Sequence, residues 1–371
     1  MVTVWKPSGD TLDVIPLEEV GNVGTLKQYL KNICGLPRFR QCILREGNVL
    51  EDGFTFDSPI DVQLVLLTFS DASEMEVLEL MQATQYGAVG TVEMILRRPQ
   101  DPNLPAKDGD LPLNQAAFYG HKDVMMLLLE AKANLCKAGA DDESALHCAA
   151  GRGMLDIAQL LLEEGASKDC RDSEGFTPLL RAANECNTEI VRLLTDWRAS
   201  VNIPSNTGHA ALMCASAWNS PEVVHMLLEA SAALDCADCQ GCTALHHASQ
   251  NGHTQLALTL LETRAMLGLK DNEGATALHS ACANGYAETA SMLLEAKAAL
   301  DVLDNSGYTA LSRALVQGPQ SEILRILLRA RALPKHKGPV NTRWFGLPTL
   351  TYDEPQLHIC GNMLVGSVDS G

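Results

Sequence analysis

Gly274-Ala275-Thr276-Ala277-Leu278-His279 has two near copies upstream: Gly241-Cys242-Thr243-Ala244-Leu245-His246 and Asp142-Glu143-Ser144-Ala145-Leu146-His147. The leucine of this phrase belongs to an evenly spaced series: Leu113, Leu146, Leu179, Leu212, Leu245, Leu278 and Leu311, each number exceeding the last by 33 (146 − 113 = 33). A single globular core does not demand such a ladder, whereas a stack of identical supersecondary units does. A stack of that kind presents a long surface and does not enclose a reaction chamber.

The same unit can be read outward from each leucine. Two residues before the Thr position stands a glycine, at Gly109, Gly175, Gly208, Gly241, Gly274 and Gly307, with Asp142 once in its place. That choice suits a turn with positive φ. Thr then opens a helix, small residues such as Ala149-Ala150 and Ala182-Ala183 let helices approach closely, and a stop is expected at Gly120, Gly153, Asn187, Asn219, Gly252, Gly285 and Gly318. A second amphipathic helix carries paired leucines, from Leu127-Leu128 to Leu327-Leu328. By those pairs, units slip by one residue near Gly87, Asn219 and Gly318. Asp172, Asp238, Asp271 and Asp304 precede the turn glycines by three residues and read as side-chain turn caps.

This phrase resembles the ankyrin repeat, whose pattern is Gly-x-Thr-Pro-Leu-His, two helices, a leucine pair and a returning hairpin. Seven units in step occupy residues 104–333, and a degenerate capping unit (Leu80, Ala83, Tyr86-Gly87, Val92, Ile95-Leu96) occupies residues 72–103. The resemblance assigns His147, His246 and His279 to the scaffold, where each imidazole ties a turn.

Upstream the period is absent. Val2 and Val4 alternate with Thr3 and Trp5, Pro7-Ser8-Gly9-Asp10 turns, and Leu12 and Val14 alternate again, which reads as a hairpin. Val23, Leu26, Leu30 and Ile33 have helical spacing, closed by Gly35 and Pro37. Gln41–Arg45 and Val62–Leu67 are strand-like, so residues 1–69 form an α+β roll. Gly35-Leu36-Pro37, Arg40-Gln41, Gly47, Leu50-Glu51-Asp52-Gly53 and Gln63-Leu64-Val65-Leu66 make this stretch resemble the ubiquitin family. The resemblance implies a hydrophobic contact patch on Leu44 and Val65, weakened because the loop of the third patch member holds Ser8. The chain continues past Leu66 as Leu67-Thr68-Phe69-Ser70, so the stretch reads as a built-in module and not as a conjugated modifier. The expected fold class is therefore mainly α: an ankyrin α-solenoid with β-hairpin loops, preceded by a small ubiquitin-like roll. Ser70–Glu74 is a short polar linker, and residues 334–371, with Trp344-Phe345 among prolines and glycines, are expected to be a largely disordered tail.

Composition narrows function. Hydrophobic residues make up 46% of the chain and charged ones 20%, so burial is sufficient for folding. The net charge of −18 repels nucleic-acid backbones and anionic lipid. Apolar runs fall short of a membrane span, and Met1–Lys6 reads as a strand, not a signal peptide. Cysteines recur at repeat-equivalent places (Cys148 and Cys214, Cys170 and Cys236), as small buried residues do, which suits a reducing cytoplasmic or nuclear compartment. Phosphate-loop, nucleophile-elbow and zincin motifs are absent, so neither an enzyme nor a cofactor is expected. Cys236, Cys239, Cys242 and His246 make up a zinc-type donor set. Cys236 and Cys242 nevertheless occupy ordinary hairpin positions, so the expectation for them is structural and no metal is assigned.

The ankyrin resemblance implies contact positions after each turn glycine (Asp110, Glu143, Phe176, His209, Cys242, Ala275, Tyr308) and at the end of each first helix (Tyr119, Arg152, Glu185, Trp218, Asn251, Asn284, Gln317). Aromatic and Arg side chains dominate hot spots, so Phe118, Tyr119, Arg152, Phe176, His209, Trp218 and Tyr308 are the expected partner-binding set. The expected function is a monomeric, non-enzymatic adaptor. Its groove binds one protein and the N-terminal module docks a second, within the ubiquitin–proteasome system. The alternatives are a regulatory subunit masking an enzyme and, behind it, a cysteine-cluster metal or redox protein.

Overall fold

The computed structural model describes residues 1–69, 72–98, 100–316 and 322–332. Gln317, Gly318, the linker residues Ser70 and Asp71 and the tail from 334 lie outside the described residues.

The N-terminal stretch folds as alternation and helical spacing predict. Strands β1 (Val2–Trp5) and β2 (Thr11–Ile15) form the hairpin, helix α1 (Val23–Cys34) follows, and β3 (Gln41–Arg45), β4 (Asn48–Val49) and β5 (Ile60–Leu66) complete a sheet of order β2-β1-β5-β3-β4. β1 and β5 are parallel, and the other pairs are antiparallel. Asn22 caps α1 through a box with Thr25, and Gly35 closes it in the left-handed conformation. Val2, Val4, Ile15, Val23, Leu26, Leu30, Ile43, Val62 and Leu64 form one buried cluster between sheet and helix. The arrangement is consistent with a ubiquitin-like roll. The short β4, too brief to show alternation, is a strand the sequence did not announce; a turn through Glu46 and Gly47, both with positive φ, folds it back on β3.

From Glu74 onward the chain is helical. First helices, from Glu74–Gln85 through Pro112–Tyr119 to Ala310–Val316, pack on one another in an unbroken series, and second helices from Val89–Leu96 to Glu322–Ala332 form a second layer. Alanines at 0% exposure (Ala116, Ala149, Ala182, Ala215, Ala248, Ala281) sit where first helices meet. Leu128, Leu161, Leu194, Leu227, Leu260 and Leu293, all fully buried, keep the ladder's step in the second layer. The slip expected near Asn219 is therefore not there: Leu194 is the second leucine of its pair and Leu227 the first of its own. Gly87 shows no slip either, since Ile95 precedes Leu128 by the same step. Only the last unit slips, with Leu327 buried one position later than the step from Leu293 would place it.

The hairpins are single tight turns. The turn Gly has positive φ as expected, and Asp142, standing in for it, takes φ 57. Neighbouring hairpins are joined by backbone bonds such as Ser173 N–H to Asp141 O (2.8 Å) and Cys239 N–H to Thr207 O (2.9 Å). Each turn aspartate accepts two backbone N–H groups, for example Asp172 Oδ1 from Glu174 (3.0 Å) and Phe176 (2.8 Å). One helix stop is corrected. Cys186, not Asn187, is left-handed (φ 56), and Asn187 instead bonds the carbonyls of Ala150 and Gly151. A second left-handed ladder carries mostly non-glycine residues: Lys132, Gly165, Arg198, Ser231, Arg264 and Lys297.

The roll and the repeats are joined by a seam. Phe39 belongs to the apolar cluster of the solenoid, with Leu80 and Val92, and not to the core of its own module. Beside it Arg38 reaches Glu130 (2.7 Å) and Glu93 (3.1 Å), and its guanidinium covers the Phe39 ring at 4.5 Å. Burial opposes the Arg38 charge, but hydrogen bonds and charge from Glu130 and Glu93 more than offset it, so its pKa stands above the ordinary value. Residues Met1–Ala330 accordingly form one compact unit.

Candidate functional site

The hairpin tips and first-helix ends present the side chains expected to contact a partner. Trp218 is 63% exposed and its indole N–H reaches only Asn184 Oδ1 at 3.4 Å. Phe118 and Tyr119 meet edge to face at 5.1 Å, Arg152 covers Phe118 at 4.7 Å, and Gln85 bonds the Tyr119 hydroxyl at 3.1 Å. Phe118, Tyr119 and Arg152 thus form one exposed group. Phe176 is half-buried against the core and lies under Arg181 at 4.8 Å, and Tyr308, exposed, lies under Arg313 at 5.5 Å. His209 is half-buried and faces His247 and Asp238.

A repeated charge motif underlies this face. Asp172, nearly inaccessible, takes two backbone N–H groups on one oxygen and Arg181 on the other, and Arg181 also reaches Glu143 at 3.2 Å. Asp304 repeats the arrangement with Arg313 (2.8 Å from Nε). In both cases an arginine nine residues after the turn aspartate neutralises a buried carboxylate and covers the aromatic that follows the turn glycine. Burial raises the Glu143 pKa, with Arg181 working against it. The sequence signal for Arg181 and Arg313 was this offset of nine, visible only once the aspartates were known to be buried.

The repeat histidines serve the scaffold. Ser144 N–H donates to His147 Nδ1 (3.2 Å), which leaves Nε2–H to donate to the Phe176 carbonyl of the next hairpin (2.9 Å). His246 and His279 repeat this with Thr243 and Ala275, and with Thr276 and Tyr308. Burial lowers all three pKa values, so the rings are neutral hydrogen-bond ties.

Every cysteine among the described residues is a free thiol. Cys236 and Cys239 are exposed, while Cys242 is buried, its thiol pushed up to about 12 by burial and then by Asp238 and other nearby acids. The structure does not gather the cysteine triplet around one point, and both nitrogens of His246 are engaged in the scaffold. It gathers a different group, His209, Asp238 and His247, whose ligand atoms all lie within 4.8 Å of one another.

On the roll, Leu44 and Val65 are half-exposed and share the sheet face opposite α1, their cross-strand partners being Gln63 and Cys42. Trp5, beside Gln63 and 36% exposed, is on the same face and was not among the expected residues. The seam runs through Arg38 and Phe39, in the turn between α1 and β3.

The family model for ankyrin repeats (three copies) matches residues 80–172, 152–238, 198–271, 219–305 and 264–337, which together span well over half the sequence. The chain belongs to the ankyrin-repeat family, and its solenoid is a protein–protein interaction module. No curated protein matches the chain. Among the described residues no helix is long and apolar enough to cross a membrane.

Proposed function

We propose that the protein is a non-enzymatic adaptor whose two faces bind different proteins. The hairpin face takes one partner through Trp218, the Phe118–Tyr119–Arg152 group, Phe176, His209 and Tyr308. The sheet face of Leu44 and Val65 takes a second, of the kind that recognises ubiquitin-like folds. The observation that carries the reading is Trp218, a large aromatic at a contact position that the scaffold leaves 63% exposed. Co-localisation follows from holding both sites on one compact unit, which raises the effective concentration of one partner near the other.

The Phe39 seam supports a second role for the roll, as a brace over the apolar end of the repeat stack. The brace reading and the docking reading coexist, because Leu44 and Val65 lie outside both apolar clusters. Deleting the roll would bare that end, so the test uses full-length variants. Affinity capture with Trp218→Ala and with Leu44→Asp/Val65→Asp should each lose a different set of bound proteins. If both variants keep every partner of the parent chain, or both lose the same set, the two-faced adaptor is wrong.

A further inference from the structure

Asp238 is buried like Asp172 and Asp304, its side chain 2% exposed, but it lacks their arginine. Every position of the Glu143–Asp172–Arg181 group recurs two repeats further along the chain, as His209, Asp238 and His247. Where the earlier unit holds a guanidinium, the later one holds two imidazoles, and these are the only ion-pair partners of Asp238 among the described residues. A buried carboxylate demands a counter-charge.

We propose that His209 Nε2, Asp238 Oδ2 and His247 Nε2 bind a divalent transition metal of the zinc type, with the fourth coordination position open to the hairpin face. Asp238 Oδ2 lies 3.4 Å from His209 Nε2 and 3.0 Å from His247 Nε2. With bonds of about 2.0–2.1 Å, a tetrahedral site has ligand–ligand edges of about 3.3 Å, so two edges are already in place. The third, between the imidazole nitrogens, is within 4.8 Å and closes by a small pivot of the 37%-exposed His209 ring about its Nδ1 contact with Thr207 Oγ1. The supporting bonds are also present. Asp238 Oδ1 is held by the N–H groups of Gln240 and Cys242 (2.9 Å each), which leaves Oδ2 as a single donor. Thr207 Oγ1, 2.9 Å from His209 Nδ1, fixes that ring, as outer-shell partners of metal-bound histidines do. Two imidazoles and one carboxylate select zinc-like ions over calcium or magnesium. Three protein ligands leave a vacancy that a partner's side chain or a water can fill.

The intact protein, stripped with chelator, is titrated with Zn(II) and separately with Co(II). The expected result is one equivalent bound, a visible cobalt spectrum without thiolate charge transfer, and a raised melting temperature. His209→Gln should weaken binding beyond the roughly 10–100-fold of an outer-shell loss, and Thr207→Val should fall within that range. Cys239→Ser should bind as the parent does. His209 is partly exposed, so its variant keeps the fold, which circular dichroism verifies, and the result does not depend on His247→Ala folding. Absence of binding at saturating metal, indifference to His209→Gln, or loss of binding in Cys239→Ser overturns the proposal.

Discussion

Phe39→Ala should uncouple the roll from the repeats. Phe39 is 6% exposed and fills the apolar end of the solenoid, so its removal takes away a buried aromatic and leaves a cavity. Such truncations cost about 3–5 kcal/mol. The core of the roll does not include Phe39, so the loss falls on the joint and on the first repeat, not on the sheet. Arg38→Met should cost less, about 1–3 kcal/mol, because its side chain is still 17% exposed and Glu93 keeps Arg97 at 3.5 Å, although Glu130 loses its cation. Amide hydrogen exchange on the whole protein reads this directly. In Phe39→Ala, protection in Glu74–Gln85 and Val89–Leu96 should fall by about two to four orders of magnitude, while the strands β1 and β5 change far less. If Phe39→Ala stays within about 0.5 kcal/mol of the parent chain, as surface substitutions do, Phe39 does not hold the seam and the brace role falls.

Trp218→Ala should leave the unfolding midpoint nearly unchanged, while Leu212→Ala, at a site 2% exposed, costs about 2–5 kcal/mol; equal shifts would make Trp218 a packing residue. Arg264→Gly, at φ 75, should raise stability by roughly 0.5–1 kcal/mol in urea melts, because glycine occupies the left-handed region without the Cβ penalty; a loss of stability would show that the arginine side chain outweighs its backbone strain. Burial works to raise the Asp304 pKa, but the N–H groups of Tyr308 and Ser306 and the Arg313 guanidinium prevail, and it stands below its ordinary 3.8. The unfolded chain therefore takes the proton first as pH falls, so this contribution is complete above about pH 4 and drains away below it. Asp304→Asn should be less stable at pH 7 and lose less on acidification; an unchanged acid slope would show that Asp304 is not among the groups that set it.

Much of this was legible in the chain. The leucine ladder marked the first helices, the turn glycines and Asp142 marked the positive-φ sites, and the turn aspartates marked their backbone caps. Paired leucines misled about the slip near Asn219 because either leucine of a pair can be the buried one, and only packing chooses. The left-handed ladder through Lys132, Arg198, Ser231, Arg264 and Lys297 is not legible in the sequence, because those residue types do not advertise positive φ. Cys236, Cys239 and Cys242 looked like a donor set because they are close in sequence. His209, Asp238 and His247 did not, because the first two stand on successive hairpins with a whole pair of helices between them.

The sequence by itself determined the repeating unit, since turn, cap, helix and stop are local choices made by residues a few positions apart and written out afresh in every repeat. The tertiary structure decided what the stack brings together: that Glu143 of one hairpin meets Arg181 of the next unit, that His209 meets Asp238, and which end of the solenoid Phe39 covers. Those contacts join residues on neighbouring hairpins or on separate modules. Their partners are set by how the units pile up, and no local pattern in the chain carries that information.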